Sequence, residues 1–280
     1  MLIAKRVPNP PLSEFVELLW FFRGPSRAHA KERLLPQGSA ELVINLDEDL
    51  IRIYDRDNLS SYRTLSGSVI CGPHSQFFVI DTSEQQSVLG VHFKPGGLFP
   101  FIGAPAAELH NLHVSLDDIW GRRARTLRDR LVEAPTPATK FEILQQALLA
   151  ALSPAFKQRT KLERHPAVAY ALRELDRADN QPTVAGVTEK IGLSVRRFSQ
   201  LFGEEVGLTP KLYSRVQRFQ QVLRQIEPSG AEFEWTEIAL AAGYYDQAHF
   251  NHDFREFSGI NPRTYALHRT GHLNHVPLAD

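Results

Sequence analysis

The chain has 280 residues, of which 42% are hydrophobic and 23% charged, and 32 Lys and Arg balance 32 Asp and Glu to a formal net charge of zero. That length suffices for two domains with cores of their own, and the balanced charge excludes a polycation that coats nucleic acid indiscriminately. A single cysteine, Cys71, excludes an internal disulfide framework; no stretch approaches the ~20 apolar residues of a membrane helix, and the N-terminus lacks a signal-peptide core, so a cytoplasmic location is expected.

Residues 1–110 read as strands. Ala40–Leu46, Leu50–Tyr54, Val69–Cys71, Phe77–Ile80 and Val88–Phe93 are short and rich in Val, Ile and Phe. Turn residues separate them at Pro36–Ser39, Asp55–Asn58, Gly72–His74 and Lys94–Gly97. Short strands with regular turn signals predict an antiparallel sheet or barrel-like sandwich. Pro11–Phe22 is apolar and reads as a helix running into an aromatic strand. From Ser115 the period becomes helical: Leu116, Ile119, Trp120, Leu127 and Leu131 can share a face, with a run of arginines on the solvated side. A second helix is expected over Pro137–Leu152, and the polar stretch Ser153–His165 is the candidate linker. The expected layout is a sensor or dimerisation domain over 1–155, a linker over 156–165 and an all-α domain over 166–280, an α+β chain overall.

The last domain carries a repeat 52 residues apart. Ser194, Phe198, Phe202, Gly207, Pro210 and Tyr213 recur as Asp246, Phe250, Phe254, Gly259, Pro262 and Tyr265. In each copy a capping residue opens a helix, two Phe at i and i+4 face the core, a Gly follows, and a Pro starts the next helix. A short apolar helix and a Gly-containing turn precede each cap, Val187–Leu193 in the first copy and Trp235–Gly243 in the second. Helix, tight turn, helix is the helix-turn-helix plan, whose second helix enters the DNA major groove and offers its outward N-terminal residues to base edges. Those residues are Ser194, Val195, Arg196, Arg197 and Gln200 in the first copy and Gln247, His249, Asn251, His252 and Arg255 in the second, with Arg215 in the helix that follows the first. Arg suits guanine, and Gln and Asn suit adenine. Residues 194–224 hold six Lys or Arg against two Glu, and residues 225–268 hold two Arg against seven acids. Phosphate neutralisation is therefore expected mainly from the first copy.

At these residues the chain resembles the double helix-turn-helix domain of AraC/XylS-type bacterial transcription regulators. The matching strings are IGLSVRRFSQLFGEEVGLTP, with Arg218 in the helix after it, and EIALAAGYYDQAHFNHDFREFSGINPRTY. The resemblance implies sequence-specific binding to double-stranded DNA by two recognition helices in successive major-groove segments. It also implies RNA polymerase as a partner if the protein activates, and leaves room for a homodimer. His252 stands where the family usually carries Arg, which implies a weaker hold from the second copy. LLPQGSAELVINL, VHFKPGGLFPFIGAPAAEL and SLDDIWGRRARTLRDRL resemble the sensor-like domain often fused to such regulators, which implies control by a small-molecule effector.

Catalytic chemistry finds little support. No Ser sits in a nucleophile elbow, and Lys94-Pro95-Gly96-Gly97 lacks the spacing and the Ser or Thr of a phosphate loop, so it reads as a chain reversal. His110-x-x-His113 could place two imidazoles on one helical face, with His74, His92 and Cys71 nearby in sequence. These histidines read as surface or packing residues, and no metal or cofactor is expected. The chain is not expected to be an enzyme. Two alternatives stay open: an N-terminal half that is a ligand-modifying or repair module, and one that only dimerises.

Overall fold

The computed structural model describes residues 1–25, 31–83, 85–152, 164–176, 183–226 and 234–278. The N-terminal half is built on two antiparallel sheets. Its strands are β1 (Leu2–Arg6), β2 (Val16–Arg23), β3 (Lys31–Leu34), β4 (Glu41–Asn45), β5 (Ile51–Tyr54), β6 (Tyr62–Leu65), β7 (Ser68–Cys71), β8 (Phe78–Asp81), β9 (Ser87–Phe93) and β10 (His113–Ser115). A further strand, β11 (His275–Pro277), comes from the end of the described chain. The larger sheet runs β1-β2-β9-β4-β7-β10 and the smaller β11-β3-β8-β5-β6.

Alternation along the strands decides the layering. Leu42, Ile44, Leu89, Val91, Leu19 and Phe21 point to the outer face of the larger sheet, against Leu127, Leu131, Phe141, Leu144 and Leu148. The latter belong to helices α3 (Arg122–Glu133) and α4 (Pro137–Ala151). Fully burying each such side chain contributes roughly 1.5–3 kcal/mol. The inner face meets the smaller sheet through a thinner apolar cluster of Ile51, Ile53, Val69 and Cys71. Gly90 lies opposite Trp20 in the β2–β9 ladder, and a Cβ there would come within 2.2 Å of the indole, so this strand glycine makes room for the ring.

The expected strands are present within a residue or two. Leu12–Glu14 is a single 3₁₀ turn, after which the aromatic segment runs as β2. Lys94–Gly97 is the reversal its composition implied: Gly97 N–H donates to the Lys94 carbonyl at 2.6 Å. After a short helix α1 (Phe99–Ile102), the expected helix from Ser115 is two, α2 (Leu116–Trp120) and α3, because Gly121 between them takes φ +59° and turns the axis. Most of the expected linker, 156–163, lies outside the described residues.

The C-terminal helices are α5 (Pro166–Leu175), α6 (Val184–Ile191), α7 (Val195–Val206), α8 (Pro210–Gln225), α9 (Trp235–Ala241), α10 (Gln247–Ser258) and α11 (Pro262–His268). The predicted caps form. The Ser194, Thr209, Asp246 and Asn261 side chains accept backbone N–H bonds from Arg197, Leu212, His249 and Thr264 at 2.7–3.2 Å. Two cores result. Phe198, Leu201 and Phe202 pack with Val168, Leu172 and Tyr213. Phe250, Phe254 and Phe257 pack with Val216, Phe219, Val222 and Tyr265. Helix α8 supplies residues to both and joins the two copies.

The two halves are docked. Leu35 belongs to the second helical core. Gln220 Nε2 donates to the Pro36 carbonyl at 2.7 Å and Gln217 Nε2 to the Gln37 carbonyl at 3.1 Å. A Cβ on Gly207 would sit 2.4 Å from Pro73, and one on Gly259 would sit 2.3 Å from the Phe77 ring. Strand β11 leaves the helical domain and pairs with β3, His275 opposite Leu34, so the expected all-α unit of 166–280 gives its last described strand to the other half. The signal was too short to read: three residues whose strand character comes from an edge in the partner domain.

Phe198, Phe202, Phe250 and Phe254 are wholly buried although they lie in the helices that carry the outward polar residues. Truncating any one to Ala is expected to lower stability by about 3–5 kcal/mol. Urea unfolding checks this; a variant that unfolds like the parent would show the helix face to be assigned backwards.

Candidate nucleic-acid interface

Each copy presents the N-terminal end of its second helix to solvent. In α7, the cap fixes the first turn, and Val195, Arg196, Arg197 and Gln200 are exposed while Phe198 is buried beneath them. Arg197 Nη1 donates to Gln200 Oε1 at 3.1 Å, and Gln200 Nε2 donates to Glu204 Oε1 at 2.8 Å. This ladder holds the long side chains against the helix and lowers the rotamer entropy that ordering them on a partner would cost.

In α10, Gln247, His249, Asn251, His252 and Arg255 are all exposed, and Phe250 and Phe254 face inward. His249 meets the Tyr244 ring edge-on at 5.2 Å, and Trp235 stacks on Phe250 at 6.3 Å, so the turn before the helix is braced by aromatic contacts. Burial and the Asp253 carboxylate push the Tyr244 hydroxyl pKa up. Tyr213 donates its hydroxyl to Asp176 at 2.5 Å, which ties α8 back to α5. Burial, then that carboxylate, raise its pKa well above the usual range.

Arg215 stands apart from the other expected residues. Its side chain is 25% exposed, and its guanidinium reaches Asp253 at 2.7 Å and Glu256 at 2.5 Å. It also lies over the Phe257 ring at 5.1 Å. Its hydrogen bonds to Asp253 outweigh burial and raise its pKa, keeping the charge fixed. The residue thus clamps α8 to α10, and sequence alone did not reveal the clamp because its acidic partners lie 38 and 41 residues away. The group His252, Asp253 and Glu256 has ligand atoms close enough for a metal, but Arg215 already supplies the cation there.

The remaining chemistry-bearing residues lie in the sandwich. His110 ends a 3₁₀ turn and His113 begins β10, so the two do not share a helical face. His110 Nε2 is 2.9 Å from Ser75 Oγ, and His92 Nδ1 is 2.6 Å from Glu41 Oε1. Burial lowers the His92 pKa, but the hydrogen bond and charge of Glu41 outweigh it and leave it raised. His74 and His113 are buried together rather than at the surface, and burial takes the His74 pKa down to about 4. The Cys71 thiol is buried, and burial followed by the Glu41 charge pushes its pKa up. That environment disfavours a free nucleophilic thiolate. No helix among the described residues is long and apolar enough to cross a membrane.

The Arg215 clamp gives a testable outcome. Arg215→Ala leaves Asp253, only 2% exposed, as an unpaired buried carboxylate and should destabilise the helical domain by about 3–5 kcal/mol. The check is urea unfolding beside the salt dependence of DNA affinity. A normal unfolding curve with a log–log salt slope smaller by about 0.9 would make Arg215 a phosphate contact instead.

Residues 187–268 match the model described as a helix-turn-helix domain, and residues 4–115 match a domain of unknown function, DUF6597. No curated protein matches the chain. Among solved structures, ToxT from Vibrio cholerae is 11% identical, with 90% of this chain and 98% of that chain covered and a TM-score of 0.45. Its form bound to an unsaturated fatty acid is 12% identical, covering 91% and 95% at a TM-score of 0.45. The C-terminal domain of AraT, a response regulator from Geobacillus stearothermophilus, is 22% identical over 42% of this chain and 88% of that one, at a TM-score of 0.32. The chain carries the double helix-turn-helix domain of AraC/XylS-type transcription regulators, joined to a β-rich N-terminal domain whose family has no assigned function.

Proposed function

We propose that this DNA-binding regulator reads two successive major-groove segments on one face of the duplex, one with each capped helix. The observation that carries the reading is the pair of exposed, Arg-, Gln-, Asn- and His-bearing helix starts over wholly buried Phe pairs. Arg196, Arg197 and Gln200 read or hold DNA from α7, with Ser194 and Val195 at its mouth. Gln247, His249, Asn251, His252 and Arg255 do so from α10. Residues 1–155 form the sensing or dimerising domain, 156–165 the linker and 166–280 the DNA-binding domain, with β11 tying the last back to the first. An effector acts by binding one arrangement of the two domains better than another. The docked contacts at Gly207 and Gly259 are the joint it would act on. A second copy of the chain, and RNA polymerase where the protein activates, are the further partners.

The first module carries most of the affinity. Its basic excess and the exposed Arg196 and Arg197 favour phosphate neutralisation, whereas His252, 75% exposed, faces the carboxylates of Asp253 and Glu256. Selection of bound duplexes from a random library, followed by footprinting, tests the assignment. Arg196→Ala should cost about 1–3 kcal/mol and relax the preference at one position. Arg197→Ala should weaken binding more than His249→Ala or Asn251→Ala, and His252→Arg should strengthen it modestly. Unchanged affinity and sequence preference in Arg196→Ala, Arg197→Ala and Gln200→Ala together would end the first assignment. A larger loss from the second-module variants would end the unequal division.

A further inference from the structure

DNA recognition leaves two buried histidines unused, and both sit in the segments that meet the helical domain. Loop 72–77 leaves β7 with His74, and segment 106–113 leads into β10 with His113. The two segments are clasped together. Gly72 N–H donates to the Leu112 carbonyl at 2.9 Å, Asn111 N–H to the Pro73 carbonyl at 3.1 Å, and Ser75 N–H to Asn111 Oδ1 at 2.8 Å. Together they form the joint between the halves. A Cβ on Gly207, at the end of α7, would come within 2.4 Å of Pro73 and 2.9 Å of the Ala106 carbonyl. One on Gly259, at the end of α10, would come within 2.3 Å of the Phe77 ring.

His74 and His113 are 5% and 4% exposed, their ring centroids are 4.6 Å apart, and both rings rest on Phe78 at 4.5 and 4.4 Å. His74 Nδ1 donates to the Gly72 carbonyl at 2.6 Å, which leaves the lone pair of the neutral ring on Nε2. That Nε2 and the Nε2 of His113 are buried with no hydrogen-bond partner among the described residues. Burial is the main force that keeps both rings neutral, taking the His74 pKa down to about 4 and that of His113 well below its ordinary value. His110 opposes a charge on His74, His74 opposes one on His113, and Arg63 of β6, which donates to the His113 carbonyl at 3.1 Å, opposes both. Cys71, opposite His113 in the ladder, is held as a neutral thiol by burial. Glu41 of β4 favours a charge on His74, but its carboxylate is engaged by His92 at 2.6 Å. Glu41 also faces His275 of β11, which is bound to Glu32 of β3 at 2.8 Å.

We propose that the His74–His113 pair is a proton-sensitive latch on the joint: a ring that takes up a proton on Nε2 must leave its buried place, and loop 72–77 then releases the C-terminal ends of α7 and α10. The proton comes from solvent and forms an N–H bond on the free lone pair. The imidazolium so made has a donor with no acceptor beside it and a charge with no free carboxylate to meet, so it is tolerated only where water reaches it. The closed joint is favoured in full above the ordinary imidazole value of about 6.5, and its advantage is lost as pH falls from there toward the depressed values. Over that range each ring moves the balance between closed and open by up to about tenfold per pH unit. Acid thus frees the helical domain from the sandwich, while α8 and the Arg215 clamp keep α7 and α10 together. The effect on DNA rests on the regulator reading, whereas the latch does not.

The test is hydrogen exchange of the full chain at about pH 7.5 and about pH 5.5, with protection expressed against the unstructured rate at each pH. Protection at residues 72–77, 203–207 and 255–259 should fall on the order of tenfold or more at the lower pH, while residues 141–148 in α4 stay protected. The double variant His74→Phe/His113→Phe fills the place with rings that bind no proton and should keep its protection at both. Each single variant should show a smaller fall than the parent. Circular dichroism and melting at the higher pH check that the variants fold. Where the double variant does not fold, imidazole titration of the parent by NMR decides, with both midpoints expected below the ordinary value. His252→Ala, at an exposed histidine, should behave as the parent does. Unchanged protection in the parent, an equal fall in the double variant, ordinary midpoints for both rings, or a fall abolished by His252→Ala would overturn the latch. No readout requires DNA, so a failed operator search would strike only the recognition assignment.

Discussion

The second helix of each copy, α7 and α10, ends where the chain must turn left-handed against another domain. Gly207 takes φ +86° and Gly259 φ +70°, and each closes its helix with a backbone N–H bond to a carbonyl four residues back. A side chain at either place would be strained by the dihedral and would also collide with Pro73 or Phe77. One residue type thus meets two demands, the helix stop and the close approach. The consequence is geometric. Each helix has 12 residues, about 18 Å, so the anchored C-terminal end and the exposed N-terminal end lie at opposite ends of a rigid rod. The N-terminal domain can set the angle of both rods without touching the exposed residues at their N-terminal ends.

Helix α8 makes the two rods one body. Its 16 residues give Tyr213 to the first core and Val216, Phe219, Val222 and Leu223 to the second. Arg215 adds a charged clamp whose buried carboxylate partner makes the contact costly to break. Gln217 and Gln220, on the same helix, donate to the Gln37 and Pro36 carbonyls. Spacing between α7 and α10 and their attachment to the sandwich therefore depend on one element, and a change in the 35–38 turn would be felt by both modules.

The sandwich distributes its chemistry unevenly between its two faces. The face under α3 and α4 is apolar and carries most of the N-terminal core. The face toward the smaller sheet mixes a thin apolar cluster with Cys71, Glu41, His92 and His113, and within the smaller sheet the His275–Glu32 contact at 2.8 Å joins β11 to β3. Buried polar groups are tolerated where they have partners. Glu41 and His92 have each other, and His74 Nδ1 has the Gly72 carbonyl, whereas the Nε2 atoms of His74 and His113 have no hydrogen-bond partner among the described residues.

The helical domain was legible because its signals are local. A cap, two Phe one turn apart, a glycine and a proline act within about 20 residues, and each depends on backbone geometry that the residue type itself dictates. The 52-residue repeat then supplied the two-module plan, and the exposed residues followed from the buried ones. The strands of the sandwich were legible where β-branched residues alternate, as in β4 and β9. They were not in β1, β3, β6, β10 and β11, whose character comes from the neighbour they pair with. The break at Gly121 was missed because the apolar period continues across it. Sequence by itself determined the number, caps and faces of the two capped helices. Tertiary structure decided that Arg215 faces Asp253 and Glu256, that Gly207 and Gly259 meet the sandwich, and that His74 lies against His113. Those contacts join residues far apart in the chain, and no local pattern records which distant partner a side chain will meet.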